Sequence, residues 1–214
     1  ITQLYSNSQT VTDLPPLISY RALADTSDMV ATLAISIADG TRLPSASRLP
    51  MPKKHAGTRL ITVLSPDARA AYSASTAALA EVLPSSSRKD FAEHEAFGSS
   101  PDRQPDEAVV DIDIAACYEY IRHSTLAEEL LIQGANGQDV SRLIRLLGSI
   151  YPENRGIPQA MDESHLLADR YLSRMERALV RSGIDTHRSA ADFRLLRADR
   201  PSAPHPIALA PIPA

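Results

Sequence analysis

The sequence predicts an α+β fold, on three observations. RLITVL (59–64) and AVVDIDI (108–114) carry the β-branched and alternating patterns of strands. Long segments such as 162–182 repeat their apolar residues at helical spacing. The two kinds of segment are mixed along the chain with no internal repeat. At 214 residues, the chain can form one sizeable core or two small ones.

Residues 1–26 are polar, contain LPPL, and read as a loosely attached arm. A helix is expected next, with Ser27 as N-cap and Gly40 just past its end. The strand 59–64 runs into Ser65-Pro66, a cap followed by proline at the first helical position, which opens an Ala-rich helix to about Leu83. Residues 84–107 are polar and broken by Pro and Gly, so a long loop closes the region 27–107. AVVDIDI is expected to be a central strand. Helices over 124–133 and 138–150 flank a GANG turn, NRGIPQA (154–160) is a loop, and a long helix covers 162–182. A hairpin at 186–196 ends the region 108–196. The tail 197–214 carries five prolines, which excludes a helix or central strand there.

The formal charge of −4 argues against a wholesale basic coat for nucleic acid. The basic residues are clustered all the same. Six lie between Arg42 and Arg69 against one acid, Asp67, and arginine dominates throughout, the side chain suited to forked phosphate contact. On the long helix Arg170, Arg174, Arg177 and Arg181 form a stripe that suits either a solvated face or a nucleic-acid backbone. The single cysteine, Cys117, excludes an internal disulfide and fits a reducing compartment. The longest apolar run is too short to span a membrane, and no leader pattern opens the chain, so a cytoplasmic protein without a membrane partner is expected.

Asp111 and Asp113 lie two apart on a strand and share a face; among Val109, Val110, Ile112 and Ile114 such acids are costly unless paired or metal-bound. His94, between Glu93 and Glu95, lacks a second histidine at ligand spacing and reads as a loop residue. His123 reads as a structural hydrogen-bonding residue and Cys117 as a small core residue. His165 beside Glu163 and Ser164 imitates a hydrolase trio only in sequence, because adjacent helical residues fan apart.

Four blocks in order carry a resemblance: MPKKHAGTRLITVLSPDAR (51–69), DIAACYEYIRH (113–123), RGIPQAMDESHLLADRYLSRMERAL (155–179) and RSAADFRLL (188–196). Together they resemble the bacterial reverse transcriptases of the retron, abortive-infection and defence-associated branch. The resemblance implies a right-hand polymerase fold with fingers over 27–107 and palm over 108–196. It implies RNA-templated or untemplated DNA synthesis by nucleotidyl transfer, in antiviral defence. KKHAGTR matches the fingers hairpin, whose Lys54 and Arg59 would hold the incoming triphosphate. Asp113 matches the metal-binding palm acid, with the Ile114 carbonyl beside it; Tyr118 then falls at the aromatic position that crowds the sugar 2′ carbon. Taking Asp111 as the metal acid would put Ala116 there instead. Pro158-Gln159 matches the loop that touches the nucleotide and template. Mg²⁺, with Mn²⁺ as substitute, is the implied cofactor; deoxynucleotides, an RNA template and a DNA primer or non-coding RNA are the implied partners.

The catalytic hairpin of the family reads aromatic, any residue, then two aspartates. Here Ser189, Ala190, Ala191 and Asp192 stand in those places, so one metal acid is replaced by Ala191. Asp192 is left in a weakened catalytic and metal role; it is expected to point away from the ligand set, with Asp111 compensating in part. Engineered inactivation, natural divergence, and a one-residue shift that makes Asp192 the ligand each fit. The family's PQG glycine is Ala160. Only 22 residues follow Asp192, so a longer chain or a partner protein is expected to supply a thumb. A catalytically dead scaffold binding RNA or a partner protein is the competing expectation.

Overall fold

The computed structural model describes residues 26–52, 57–83, 108–189 and 191–197. It is a mixed α+β chain, divided into two compact units. The arm 1–25, the polar stretch 84–107 and the tail beyond 197 lie outside the described residues. No helix among those described is long and apolar enough to cross a membrane.

The first unit spans residues up to 87 and 115–174. It opens with α1 (Ser27–Ala38), in which Ser27 is the first helical residue and Thr26 the cap, without a side-chain capping bond. The helix end is closed from elsewhere: Arg145 donates from Nη2 to the Ala38 carbonyl at 2.7 Å, satisfying one of the last free carbonyls. Strands β1 (Ala46–Pro52) and β2 (Thr58–Leu64) form an antiparallel hairpin registered Ala46↔Leu64 to Pro52↔Thr58. The sequence reading missed β1 as a strand because Pro50 and Pro52 lie in it. Two residues apart, both prolines direct their missing N–H to the same side, which an outer strand tolerates. Helix α2 (Pro66–Ala80) starts at Ser65-Pro66 as expected and stops short of Leu83, which is buried in a closing turn.

Four further helices complete this unit: α3 (Cys117–Tyr120), α4 (His123–Ile132), α5 (Gly137–Ile150) and α6 (Asp162–Arg181), the last contributing its residues as far as Arg174. Helix α2 packs on α1 and α5, and α5 on α4. Tyr72, Leu79, Leu126, Leu130, Leu143, Leu147 and Leu167 are fully buried in the shared core. At roughly 1.5–3 kcal/mol for each large apolar side chain removed from water, this cluster supplies the main driving force of the unit. Asn136 caps α5, its Oδ1 accepting from the Gln138 N–H at 2.8 Å.

The second unit spans 88–114 and 175–214. Its described part contains β3 (Ala108–Asp113), the end of α6, β4 (Asp185–Ser189) and β5 (Asp192–Arg197). The strands form one antiparallel sheet in the order β3-β5-β4. Thus β5 is central and β3, expected to be central, lies at the edge among the described residues. The sequence could not decide this, because AVVDIDI alternates as well for an edge strand as for a middle one. Phe193 on β5 is fully buried, with the Arg188 guanidinium 5.6 Å over its ring. Arg188 is itself held by Glu176, Nε and Nη2 each 3.3 Å from Oε2.

Candidate functional site

The site residues predicted from sequence fall in two groups, one in each unit. In the second unit, antiparallel register decides what each acid meets. Asp113 pairs directly with Asp192, Ile112 with Phe193, and Asp111 with Arg194. Residues directly opposite share a face, their Cβ atoms roughly 4.5–5.5 Å apart. Asp113 and Asp192 therefore stand side by side on the face that also carries Asp111 and Arg194. This corrects the expectation that Asp192 points away from the ligand set: it begins β5, and its side chain follows the pleat of that strand rather than the turn.

Asp111 behaves differently. Arg194 grips it with two hydrogen bonds, Nε to Oδ1 at 2.7 Å and Nη2 to Oδ2 at 3.1 Å. A carboxylate engaged at both oxygens by a guanidinium is a poor substitute metal ligand, so the expected compensation by Asp111 is not what this geometry provides. Asp113 is exposed. Both strand acids are exposed, so the burial cost inferred from their aliphatic neighbours is absent. Ile114 is fixed beside the hairpin, its N–H donating to the Ala191 carbonyl at 3.3 Å. Ala191 lies in the turn before β5.

In the first unit, two segments are strapped together. The loop 154–160 runs along residues 118–123: the Ile157 N–H donates to the Tyr118 carbonyl at 2.9 Å, Gly156 to Ile121 at 2.8 Å, and His123 to Asn154 at 3.0 Å. Side chains add to the strap. Gln159 donates from Nε2 to Glu119 Oε1 at 3.3 Å, and His123 Nε2 lies 2.8 Å from the Gly156 carbonyl. His123 is thus the structural residue expected from sequence. Burial holds its pKa below the ordinary histidine value, opposed in part by the Gly156 bond, and its Nδ1 has no hydrogen-bond partner among the described residues. Cys117 is buried, as expected.

Two details of this group bear on the predicted roles. Tyr118 is half-buried, which raises its phenol to about 12, and its hydroxyl lies 2.7 Å from His165 Nδ1. Ala160 has φ +58°, in the left-handed region that glycine tolerates and alanine resists. Arg59 on β2 is exposed, while Lys54 and His94 lie outside the described residues.

The arginine stripe on α6 is interrupted. Arg170 is buried, with Asp169 3.7 Å away and Gln133 Oε1 accepting from Nη1 at 3.4 Å. It belongs to the interior of the first unit and is corrected from a nucleic-acid contact to a structural ion pair. Arg174, Arg177 and Arg181 are exposed; Arg174 also lies 3.7 Å from Glu128. The sequence reading missed the Tyr118–His165 and Glu119–Gln159 pairs, each joining residues at least forty positions apart. No spacing rule could have signalled them.

No family model matches the chain, and no curated protein matches it.

Proposed function

We propose that the chain is a reverse-transcriptase-like fingers-and-palm domain, of the bacterial defence type, whose nucleotidyl transfer is impaired by Ala191. The observation that carries this reading is the β3-β5-β4 sheet, in which Asp113 and Asp192 are directly paired beside a hairpin turn that holds Ala191. A palm acid on one strand next to an acid-bearing hairpin is the arrangement the sequence resemblance requires. The left-handed Ala160 backbone at a family glycine position supports it independently.

The donor set suits a hard divalent cation in part. Two carboxylates and the Ile114 carbonyl are oxygen donors of the kind Mg²⁺ takes, completed by phosphates and water. Among the described residues no group of three or more His, Cys, Asp or Glu gathers for a metal. Mg²⁺, when bound, supplies stabilisation of the attacking and leaving oxygens of phosphoryl transfer. The chain's own residues have separate tasks. Asp113 and Asp192 present negative charge at one end of the sheet. Lys54 and Arg59 neutralise the triphosphate, Tyr118 crowds the sugar 2′ carbon, and Gln159 touches the nucleotide and template. Arg174, Arg177 and Arg181 would meet the nucleic-acid backbone. An RNA template, a DNA primer or non-coding RNA, and deoxynucleotides follow from the same reading as its partners and substrates.

The second reading is a polymerase-fold scaffold that binds RNA or a partner protein without catalysis. Ala191 and the engagement of Asp111 by Arg194 favour it, since together they leave two opposed acids. Primer extension on an RNA template, with Mg²⁺ and then Mn²⁺, separates the two. The unchanged chain is expected to be silent or weak, Ala191→Asp active, and the same chain with Asp113→Ala added silent. Silence of Ala191→Asp, both in this chain and in a longer form of it, with RNA still retained on a filter, would refute the polymerase reading and leave the scaffold.

A further inference from the structure

We propose that His165 is a positioning residue that sets sugar preference by locking the ring of Tyr118 and occupying its hydroxyl. The inference rests on the reading of Tyr118 as the residue facing the nucleotide sugar. The backbone of Tyr118 is already fixed. Ala116 enters α3 from the left-handed region at φ +51°, and the Tyr118 carbonyl accepts the Ile157 N–H at 2.9 Å. What remains free is rotation of the side chain. His165, itself exposed, restricts that freedom, with its Nδ1 2.7 Å from the phenol oxygen and the two rings edge to face at 5.8 Å and 88°.

His165 is itself on a rigid support. It sits in the first turn of α6, where neighbouring Ser164 is buried and its Oγ lies 2.8 Å from the Tyr72 hydroxyl. Glu163 accepts from Ser73 on the same helix, α2. The first turn of α6 is therefore pinned to the core at two adjacent residues, and His165 projects from it to reach Tyr118.

Two consequences for a sugar follow. A ring that cannot swing aside keeps excluding a 2′ hydroxyl. In the neutral imidazole with hydrogen on Nε2, the phenol O–H donates to Nδ1 and is not available to a ribose 2′ oxygen. A ribonucleotide then meets a crowded surface and finds no donor to replace the water it gives up. Losing one such hydrogen bond changes discrimination by up to about tenfold.

The test measures binding of a deoxynucleoside triphosphate and its ribonucleoside counterpart to the intact chain with Mg²⁺ and a primer–template ended in a 3′-deoxy residue. His165→Leu is expected to lower the deoxy-over-ribo preference about tenfold. His165→Asn, whose Oδ1 can take the place of Nδ1 as acceptor, is expected to restore most of it. Tyr118→Phe should match His165→Leu, and the two together should cost no more than either alone, a non-additivity that a purely structural role for His165 would not produce. If Tyr118→Ala removes the preference while His165→Leu leaves it intact, the positioning role is overturned and the reading of Tyr118 stands. Equal loss in His165→Leu and His165→Asn also overturns it. If the unchanged chain binds neither nucleotide, or both equally, the role of Tyr118 falls and this inference falls with it.

Discussion

Replacing Ala160 by glycine should stabilise the protein, and the expected gain can be worked from its backbone. Ala160 holds φ +58°. For an L-residue other than glycine, Asn or Asp, the left-handed region costs roughly 1–2 kcal/mol. The loop cannot relax away from it easily, since Gly156, Ile157 and Gln159 are all bonded to the 118–121 segment. Glycine removes the Cβ conflict but adds unfolded-chain entropy of about 0.5–1 kcal/mol. The net stabilisation of Ala160→Gly is therefore about 0.5–1 kcal/mol. In a chain of this size that raises Tm by roughly 2–4 °C per kcal/mol. Urea unfolding followed by far-ultraviolet circular dichroism measures it, as a higher midpoint at unchanged slope. Ala178→Gly, at an exposed position inside α6, is the control and should cost about 1 kcal/mol. If Ala160→Gly destabilises as Ala178→Gly does, the backbone at 160 is unstrained, and its value as support for the glycine-bearing loop of the family disappears.

His123 contributes a pH dependence. Its folded pKa lies below the unfolded value near 6.5, so the unfolded chain binds more protons, and stability is full above that value and falls as pH drops toward the folded pKa. His123→Gln, which can keep a donor on the Gly156 carbonyl without titrating, should flatten urea midpoints measured between pH 7 and pH 5. Tyr72 and Ser164 are fully buried partners at 2.8 Å, so Tyr72→Phe and Ser164→Ala should each cost about 1–2 kcal/mol. The double variant should cost less than their sum, because each single change leaves the other group unpaired. Arg177→Gln with Arg181→Gln should weaken RNA retention and reduce its salt dependence with little change in Tm, whereas Arg170→Gln should lower Tm; the reverse pattern would refute the assignment of Arg170 to the interior.

Most helices were legible in the sequence because local signals mark them: Ser65-Pro66 at the start of α2, the GANG turn before α5, and the four-residue recurrence of α6. The hairpin 185–197 and the strand 108–113 were legible for the same reason. What failed was of another kind. Strand β1 was masked by two prolines, which local propensity counts against a strand although an outer position accepts them. Arg170 looked like its neighbours on the helical wheel. Only tertiary packing against Gln133 and Asp169 draws it inward. Asp111, Asp113 and Tyr118 could be singled out from motif order, but the side chains that Asp111 and Tyr118 meet, Arg194 and His165, could not, because contacts across 83 and 47 residues leave no local trace.

Asp111 and Asp113 show how register, more than composition, decides what each acid meets on this sheet. In the sequence they are near equivalents: the same residue type, on one face, among similar aliphatic neighbours. The pairing with β5 separates them, placing arginine opposite Asp111 and aspartate opposite Asp113. The first pair neutralises itself; the second sets two carboxylates directly opposite one another, an arrangement that strand pairing by itself does not favour. A slip of one residue would turn the whole set to the other face, so the register that sets Ile112 against the buried Phe193 also decides what each acid meets. Register with β5, which composition does not carry, is therefore what distinguishes Asp113 from Asp111.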